Sequence, residues 1–222
     1  MNKEQLVRYF DSTALKPDLE TEAVVKLCEE AVNYNFASVC IPPYFVSTAY
    51  DILRDIDSVK VCTVVDFPFG YSSAFTKVES IKKSIDNGAD ELDVVINIPA
   101  LKNGDWKTVR YDLEALSHST HINDKILKVI IETCYLNPDE IEKIVKLCVD
   151  TGVDFAKTST GYGTGGATVE DVKLMKQAGE NNIKIKASGG IRSLDDALKM
   201  IEAGADRLGT SSAAKIIAEL NK

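Results

Sequence analysis

The chain has 222 residues, of which 45% are hydrophobic and 27% are charged, values typical of a globular α/β protein that exclude disordered and fibrous classes. A formal net charge of −8 argues against general nucleic-acid binding, which depends on clustered lysine and arginine. No stretch reaches the roughly 18 apolar residues of a membrane span, and the first residues do not resemble a signal peptide, so a cytoplasmic location is expected.

Short segments with strand character alternate with amphipathic segments along the chain. Apolar residues recur at helical spacing in segments that begin near Ala23, Val78, Trp106, Ile141, Leu194 and Ala213. The predicted strands are Tyr9 to Asp11, Ser38 to Ile41, Val59 to Val65, Glu91 to Ile96, Leu127 to Ile131, Phe155 to Thr158, Ile183 to Ala187 and Arg207 to Gly209. Eight strands alternating with helices predict an α/β fold, a (β/α)8 TIM barrel with a short N-terminal helix.

Local signals support these boundaries. Asn137 precedes Pro138 and can cap a helix there, and Ser193 with Asp196 has the form of a capping box. A weak repeat, glycine followed by Ala-Asp or Val-Asp at positions 88, 152 and 204, falls between a helix and the next strand. Each glycine is therefore predicted to end a helix.

The alternative architecture is an open, doubly wound sheet. Such a sheet ordinarily carries a G-x-G-x-x-G turn after its first strand, and the sequence has none there. No linker or low-complexity tract divides the chain, so residues 1–222 are assigned to one catalytic domain.

The cysteines and histidines carry no clear chemistry. The five cysteines form neither a disulfide framework nor a zinc pattern, so reduced and mostly buried thiols are expected. His118 and His121, the two histidines of the chain, are interpreted as an exposed helix end.

Four charged residues stand at the ends of predicted strands: Asp11, Asp93, Lys157 and Lys186. Barrel active sites gather at the carboxyl ends of the strands. In the strand that starts at Ile183, alternation places Lys184 and Lys186 on the face opposite the isoleucines, toward the barrel interior. The sequence therefore predicts two lysines from neighbouring strands, Lys157 and Lys186, beside the carboxylate of Asp93.

Two ammonium groups in a desolvated cavity disfavour each other, and this favours a neutral amine that can attack a carbonyl. The alternative is that each lysine merely makes an interior ion pair. The combination of two lysines and an aspartate favours a lysine Schiff base.

Two glycine and serine segments follow the last two strands: residues 188–190 (SGG) and residues 209–212 (GTSS). Barrels commonly bind phosphate between these loops, where backbone N–H groups can approach the anion. Tight turns and helix capping are the alternative interpretation. We expect Gly189, Gly190, Ser211 and Ser212 to bind the phosphate of a small phosphorylated carbonyl compound.

Five segments together resemble the deoxyribose-phosphate aldolase family, a group of class I, Schiff-base aldolases. They are Val39-Cys40, residues 91–98 (ELDVVINI), 128–136 (KVIIETCYL), 157–168 (KTSTGYGTGGAT) and 186–192 (KASGGIR). The resemblance implies that Lys157 forms the Schiff base, that Lys186 perturbs it and that Asp93 takes part in proton transfer.

The resemblance further implies reversible cleavage of 2-deoxy-D-ribose 5-phosphate to D-glyceraldehyde 3-phosphate and acetaldehyde, without a metal or an organic cofactor. It places Asp11, Cys40 and Thr158 among the substrate-binding residues, and it suggests a homodimer. Another Schiff-base barrel aldolase or transaldolase for a longer sugar phosphate, and a sugar-phosphate-binding barrel without activity, are the alternatives.

Some positions depart from the family pattern. Ser12 stands where histidine is common, Ala14 where leucine is usual, and Asp66 and Pro99 where glycine is usual. The chain ends in Leu220-Asn221-Lys222, without the C-terminal tyrosine that some members use. None of these positions is a predicted catalytic residue.

Overall fold

Eight parallel strands close into a barrel in which each strand pairs with its neighbours in the sequence and β8 pairs with β1. The structure, a computed structural model, describes residues 1–220. The strands are β1 (Phe10–Thr13), β2 (Ser38–Ile41), β3 (Lys60–Val65), β4 (Glu91–Val95), β5 (Ile126–Ile130), β6 (Phe155–Lys157), β7 (Lys184–Ser188) and β8 (Arg207–Thr210). The predicted (β/α)8 barrel is confirmed, and the predicted strand ends differ from these by at most two residues.

Helices connect the strands around the outside of the barrel. They are α1 (Lys3–Val7), α2 (Thr21–Tyr34), α3 (Val46–Leu53), α4 (Ala74–Asp86), α5 (Ile98–Lys102), α6 (Trp106–His121), α7 (Pro138–Asp150), α8 (Val169–Ala178), α9 (Leu194–Glu202) and α10 (Ala213–Glu219). Within residues 1–220, none of them combines the length and the apolar character that crossing a bilayer requires.

The helix signals in the sequence are confirmed. Asn137 caps α7 and Ser193 caps α9, each in a capping box. Gly88, Gly152 and Gly204 have φ angles of 105°, 75° and 111° where a helix turns into the next strand. The exposed histidines lie in the last turn of α6, where His121 Nε2 is 2.9 Å from Asp154 Oδ2.

Three helices, α3, α5 and α8, were not predicted. Helix α5 has five residues and buries one of them, Leu101, which is too few to show a helical period. In α3 and α8 the buried residues do recur at helical spacing, as Val46, Ala49 and Leu53 and as Val172, Met175 and Ala178, so the pattern that predicts a helix is present in both.

Alternation along the strands separates an apolar outer layer from a charged interior. In β4, Leu92 and Val94 belong to the hydrophobic core, whereas Asp93 faces the interior and is also fully buried. In β7, Ile185 and Ala187 join the core and Lys186 is buried with Asp93. Lys184 lies at the start of β7, where it is exposed beside the Phe155 ring, so only Lys186 reaches the site.

Candidate active site

Asp93 is the centre of a buried cluster of charges. Its Oδ2 accepts hydrogen bonds from Lys157 Nζ and from Lys186 Nζ, each at 2.7 Å. Its Oδ1 accepts a hydrogen bond from Lys128 Nζ at 2.8 Å. The predicted convergence of Lys157, Lys186 and Asp93 is therefore present in the structure, with a third lysine added.

Strand register explains why these side chains meet. Lys157 lies opposite Lys186 in the pairing of β6 with β7, and Asp93 lies opposite Lys128 in the pairing of β4 with β5. Paired residues of parallel strands project to the same side of the sheet. Closure of the barrel then brings the two pairs together across its interior.

A second layer of ion pairs surrounds Lys186. Lys186 Nζ is 2.5 Å from Asp11 Oδ2, and Asp11 also accepts a hydrogen bond from Arg207 Nε at 2.7 Å. Arg207 in turn binds Glu91, whose Oε2 is 2.6 Å from Lys128 Nζ. The cluster extends across the interior from Arg207 on β8 to Glu91 on β4.

The charges shift the protonation equilibria of several groups. Burial by itself raises the pKa of Asp93, but Lys128, Lys157 and Lys186 outweigh it and hold the pKa well below its ordinary value. Burial lowers the pKa of Lys186, but Asp11 and Asp93 outweigh that effect and raise it. Asp93 is therefore a carboxylate and Lys186 an ammonium at neutral pH.

Lys157 is the lysine of this cluster that reaches a cleft. It lines a cavity of about 560 Å³ at the carboxyl ends of the strands, together with the loops that follow β6, β7 and β8. Lys128 and Lys186 are fully buried and do not line the cavity. A molecule in the cleft can therefore contact the amine of Lys157.

The two predicted phosphate loops lie in the same cleft. Gly189 and Gly190 line it with φ angles of 84° and 85°, a left-handed conformation that glycine adopts without strain. Ser211 also lines the cleft. Ser212 does not, and its backbone N–H donates to Thr210 Oγ1 at 3.0 Å.

The remaining predicted substrate-binding residues lie below the cleft. Cys40 is buried and Asp11 is enclosed by its ion pairs. Thr158 donates through Oγ1 to the carbonyl of Ser188 and accepts from the N–H of Ser188. These three residues support the floor of the site and do not line the cavity itself.

One group of side chains has the composition of a metal site, but its surroundings do not fit one. Ligand atoms of Cys40, Cys62 and Asp93 lie within 4.8 Å of one another. Lys128 Nζ is 3.2 Å from Cys62 Sγ, and Asp93 already accepts hydrogen bonds from three lysine side chains. Burial also raises the pKa of Cys62, so this residue is a protonated thiol and a poor metal ligand.

Three members of the charge cluster were not singled out from the sequence: Glu91, Lys128 and Arg207. Alternation could have identified Lys128, because it lies between two core residues, Leu127 and Val129, just as Lys186 lies between Ile185 and Ala187. Glu91 and Arg207 stand at the starts of their strands, where a charge is commonly exposed.

The departures from the family pattern lie around the cleft and its loops. Asp66 has a φ of 52°, a conformation more natural to glycine, and its carboxylate accepts hydrogen bonds from Ser72. Pro99 stands in the first turn of α5, where proline is tolerated. Ala14 lines the cleft and Ser12 is buried in β1. The departure at the end of the sequence, where Asn221 and Lys222 stand in place of a tyrosine, lies outside the described residues.

Comparison with known proteins identifies the family of this chain. The sequence pattern of DeoC/LacD family aldolases matches residues 6–218. The deoxyribose-phosphate aldolase of Thermococcus kodakarensis is 49% identical over 98% of this chain and 97% of its own length.

Solved structures of aldolases are similar to this chain in sequence and in fold. The structure titled QR15, an aldolase, is 41% identical, with a TM-score of 0.92 over 97% of this chain and 96% of that one. The tetrameric deoxyribose phosphate aldolase of Aeropyrum pernix is 30% identical, with a TM-score of 0.89 over 100% and 93%.

The closed barrel and these relatives define the class of protein as a (β/α)8-barrel aldolase. The chain belongs to the DeoC/LacD family of aldolases.

Proposed function

We propose that the protein cleaves 2-deoxy-D-ribose 5-phosphate reversibly to D-glyceraldehyde 3-phosphate and acetaldehyde through a Schiff base on Lys157. The observation that carries this proposal is the position of Lys157. Its amine contacts Asp93 in the charge cluster, and its side chain also lines the cleft. The relatives that bear the name of this aldolase support the choice of substrate.

The balance of charge supports a neutral amine at Lys157. Three carboxylates (Asp11, Glu91 and Asp93) face three cations (Lys128, Lys186 and Arg207). Lys157 would be a fourth cation in excess of the carboxylates, and an uncompensated buried charge is costly. The interior is balanced when Lys157 carries no charge, the state in which its nitrogen is a nucleophile.

The reaction then follows from the chemistry of an imine. The Lys157 nitrogen attacks the aldehyde carbon, and loss of water from the carbinolamine forms a protonated imine. As the C3–C4 bond breaks, its electron pair moves into the imine to form an enamine, and the C4 hydroxyl loses its proton as the new aldehyde forms. Protonation of the enamine carbon and hydrolysis release acetaldehyde and restore the amine.

Asp93 and Lys186 are placed to serve the proton transfers. Oδ2 of Asp93 contacts both amines at 2.7 Å, so a proton on either nitrogen lies one hydrogen bond from the same carboxylate oxygen. We assign the proton transfers to Asp93 together with an ordered water and Lys186, whose ammonium also lies beside the imine.

The other end of the cleft suits the 5-phosphate. Gly189, Gly190 and Ser211 line it, and Arg192, which was not predicted as a site residue, adds a cation. The protonated imine supplies the electron sink that a metal ion or an organic cofactor would otherwise provide, so we propose a reaction independent of both.

A cytoplasmic location and a homodimer stay predictions. The relative from Aeropyrum pernix is described as a tetramer. Sedimentation equilibrium of the full chain measures the assembly state directly.

Reductive trapping tests the proposed function. Borohydride added with acetaldehyde reduces an imine to a stable secondary amine, and peptide mass analysis locates it. We expect the adduct on Lys157, no turnover in Lys157→Ala, and wild-type turnover in the control Lys184→Ala, because Lys184 is exposed at the start of β7.

An enzyme that loses turnover with a chelator and shows no modified lysine would contradict the proposal. Product analysis decides among the alternatives, since a transaldolase or an aldolase for longer sugars yields a product other than acetaldehyde. Binding of the sugar phosphate without turnover would indicate an inactive binding protein.

A further inference from the structure

Tyr162 stands at the centre of the barrel mouth. Its side chain is half exposed and lines three cavities: the reactive cleft of about 560 Å³, a second cavity of about 520 Å³ and a third of about 190 Å³. Four residues separate it from Lys157 along the chain. Tyr162 is therefore a wall shared by the cleft and both of its neighbours.

Tyr162 is held in this position although half of it faces solvent. Its hydroxyl donates to the carbonyl of Leu15, in the loop after β1, at 2.7 Å. Its ring packs edge-on against Phe67, in the loop after β3, with 5.4 Å between ring centroids. The side chain thus bridges from the loop after β6 to loops on the opposite side of the mouth.

The backbone that carries Tyr162 is anchored as well. Its N–H donates to Thr160 Oγ1 at 3.0 Å, and the hydroxyl of Thr160 binds the buried carboxylate of Glu132. A Cβ on Gly163 would lie 2.8 Å from Cys134 Sγ, so the loop is seated closely on the segment after β5. Ordering a ring that stays half exposed costs conformational entropy. We interpret this ordering as a sign that the position of Tyr162 serves a function.

The cavity of about 520 Å³ is lined mainly by hydrophobic side chains and prolines. They are Leu15, Pro17, Leu19, Pro42, Pro43, Phe45, Phe67 and Pro68, with Val64 reaching it from β3, and Lys16, Tyr44 and Tyr162 complete the lining. Val64 lies opposite Asp93 in the pairing of β3 with β4, so the inner end of this cavity borders the charge cluster. Its chemistry fits an alkyl chain.

Four residues line both the reactive cleft and this apolar cavity: Leu15, Lys16, Leu19 and Tyr162. We propose that Tyr162 determines which aldehydes reach Lys157, because its ring, the one aromatic side chain of the four, stands between the two spaces. With the ring in place, the amine serves short aldehydes such as acetaldehyde. Without the ring, the two spaces join, and an aldehyde with an alkyl chain reaches Lys157 with its chain in the apolar cavity. This inference rests on the proposed function, since it requires imine formation on Lys157.

The test compares acetaldehyde with pentanal in borohydride trapping, with the adduct on Lys157 quantified by peptide mass analysis. The measured quantity is the ratio of the two trapping rates. We expect Tyr162→Ala to raise the pentanal-to-acetaldehyde ratio about tenfold or more, given what a hydrophobic pocket gains for each methylene. Tyr162→Phe keeps the ring and is expected to keep the wild-type ratio.

Tyr135→Ala is the matched control. Tyr135 is another partly exposed tyrosine and lines the third cavity with Tyr162, but it does not line the reactive cleft. The pentanal-to-acetaldehyde ratio of Tyr135→Ala is expected to equal that of the wild type. Circular dichroism checks that each variant is folded, and Tyr162→Leu, which retains an apolar contact with Phe67, replaces the alanine variant if that one does not fold.

The outcomes separate this inference from the function on which it rests. No acetaldehyde adduct on Lys157 in the wild type would overturn the proposed function. A normal acetaldehyde adduct with an unchanged ratio in the truncated Tyr162 variant would overturn the inference alone. An equal rise in Tyr135→Ala would show that Tyr162 is not the separating wall.

Discussion

Asp93 accepts hydrogen bonds from three lysines, and this arrangement gives the lysines different properties. Lys128 and Lys186 each bind a second carboxylate, Glu91 and Asp11 respectively, whereas Lys157 binds Asp93 alone and faces the cleft. Lys157 is therefore the reactive lysine, because it has no second acidic partner within the cluster.

Replacing Lys186 by methionine removes a cation and keeps most of the side-chain volume. We expect trapping of acetaldehyde to slow at least about a hundredfold at pH 7, by the usual contribution of positioned acid–base groups. We also expect its pH profile to move to higher pH, because a nearby cation no longer disfavours a second ammonium. Lys186→Arg, which keeps the charge, is the control, and an unmoved profile in the methionine variant would contradict the role assigned to Lys186.

Arg192 provides a test of the phosphate end of the cleft. In Arg192→Met we expect KM for deoxyribose 5-phosphate to rise about tenfold or more, because a charge-assisted contact is lost. The rate with unphosphorylated deoxyribose should stay unchanged, since that substrate has no phosphate to bind. Equal losses with both substrates would show that Arg192 acts on the cleft as a whole.

At the scale of the elements, the loop after β3 depends on Asp66. This residue has a φ of 52°, and its carboxylate accepts hydrogen bonds from the N–H and hydroxyl of Ser72 at 2.8 and 2.7 Å. The buried ammonium of Lys77 lies 3.7 Å from it. An unfavourable backbone conformation is thus offset by side-chain contacts.

Two substitutions at this position separate the effects of backbone and side chain. Asp66→Ala loses the hydrogen bonds and keeps the left-handed backbone, so we expect a loss of about 2 kcal/mol in the free energy of unfolding. Asp66→Gly loses the same bonds but adopts the conformation readily, so its loss should be smaller by roughly 1 kcal/mol. Urea unfolding measures both, and a glycine variant less stable than the alanine variant would refute this account.

At the scale of the whole molecule, the charge cluster ties the barrel together through its interior. Its members come from β1, β4, β5, β6, β7 and β8, so the ion pairs link strands on opposite sides of the barrel. Because these groups are buried, removing one partner leaves an uncompensated charge.

The lowered pKa of Asp93 predicts how stability depends on pH. A carboxylate with a depressed folded-state pKa contributes stability above its unfolded value of about 3.9, and the contribution is lost as the pH falls through the folded value. We expect Asp93→Asn to be less stable than the wild type at pH 7, by about 3 kcal/mol for a broken buried pair, with a smaller difference at pH 3. Urea unfolding at both pH values measures this, and a constant difference would refute the linkage.

Alternation along the strands predicted Asp93, Lys157 and Lys186 as interior residues, because this periodicity is a property of the strand itself. The barrel was predicted from the regular alternation of strands and helices, and the glycine and serine loops were placed by their positions after β7 and β8. Helix α5 escaped prediction because five residues are too few to show a helical period, whereas the buried residues of α3 and α8 do recur at helical spacing in the sequence.

The sequence by itself determined the order of the elements and the face of each strand on which the charged residues lie, since both depend on local periodicity. Only the tertiary structure decided that Lys128, Glu91 and Arg207 join the cluster, that Thr158 and Cys40 support the site from below, and that Tyr162 divides the mouth. These relations join residues far apart in the chain. They depend on barrel closure and strand register, which are set by packing over the whole molecule.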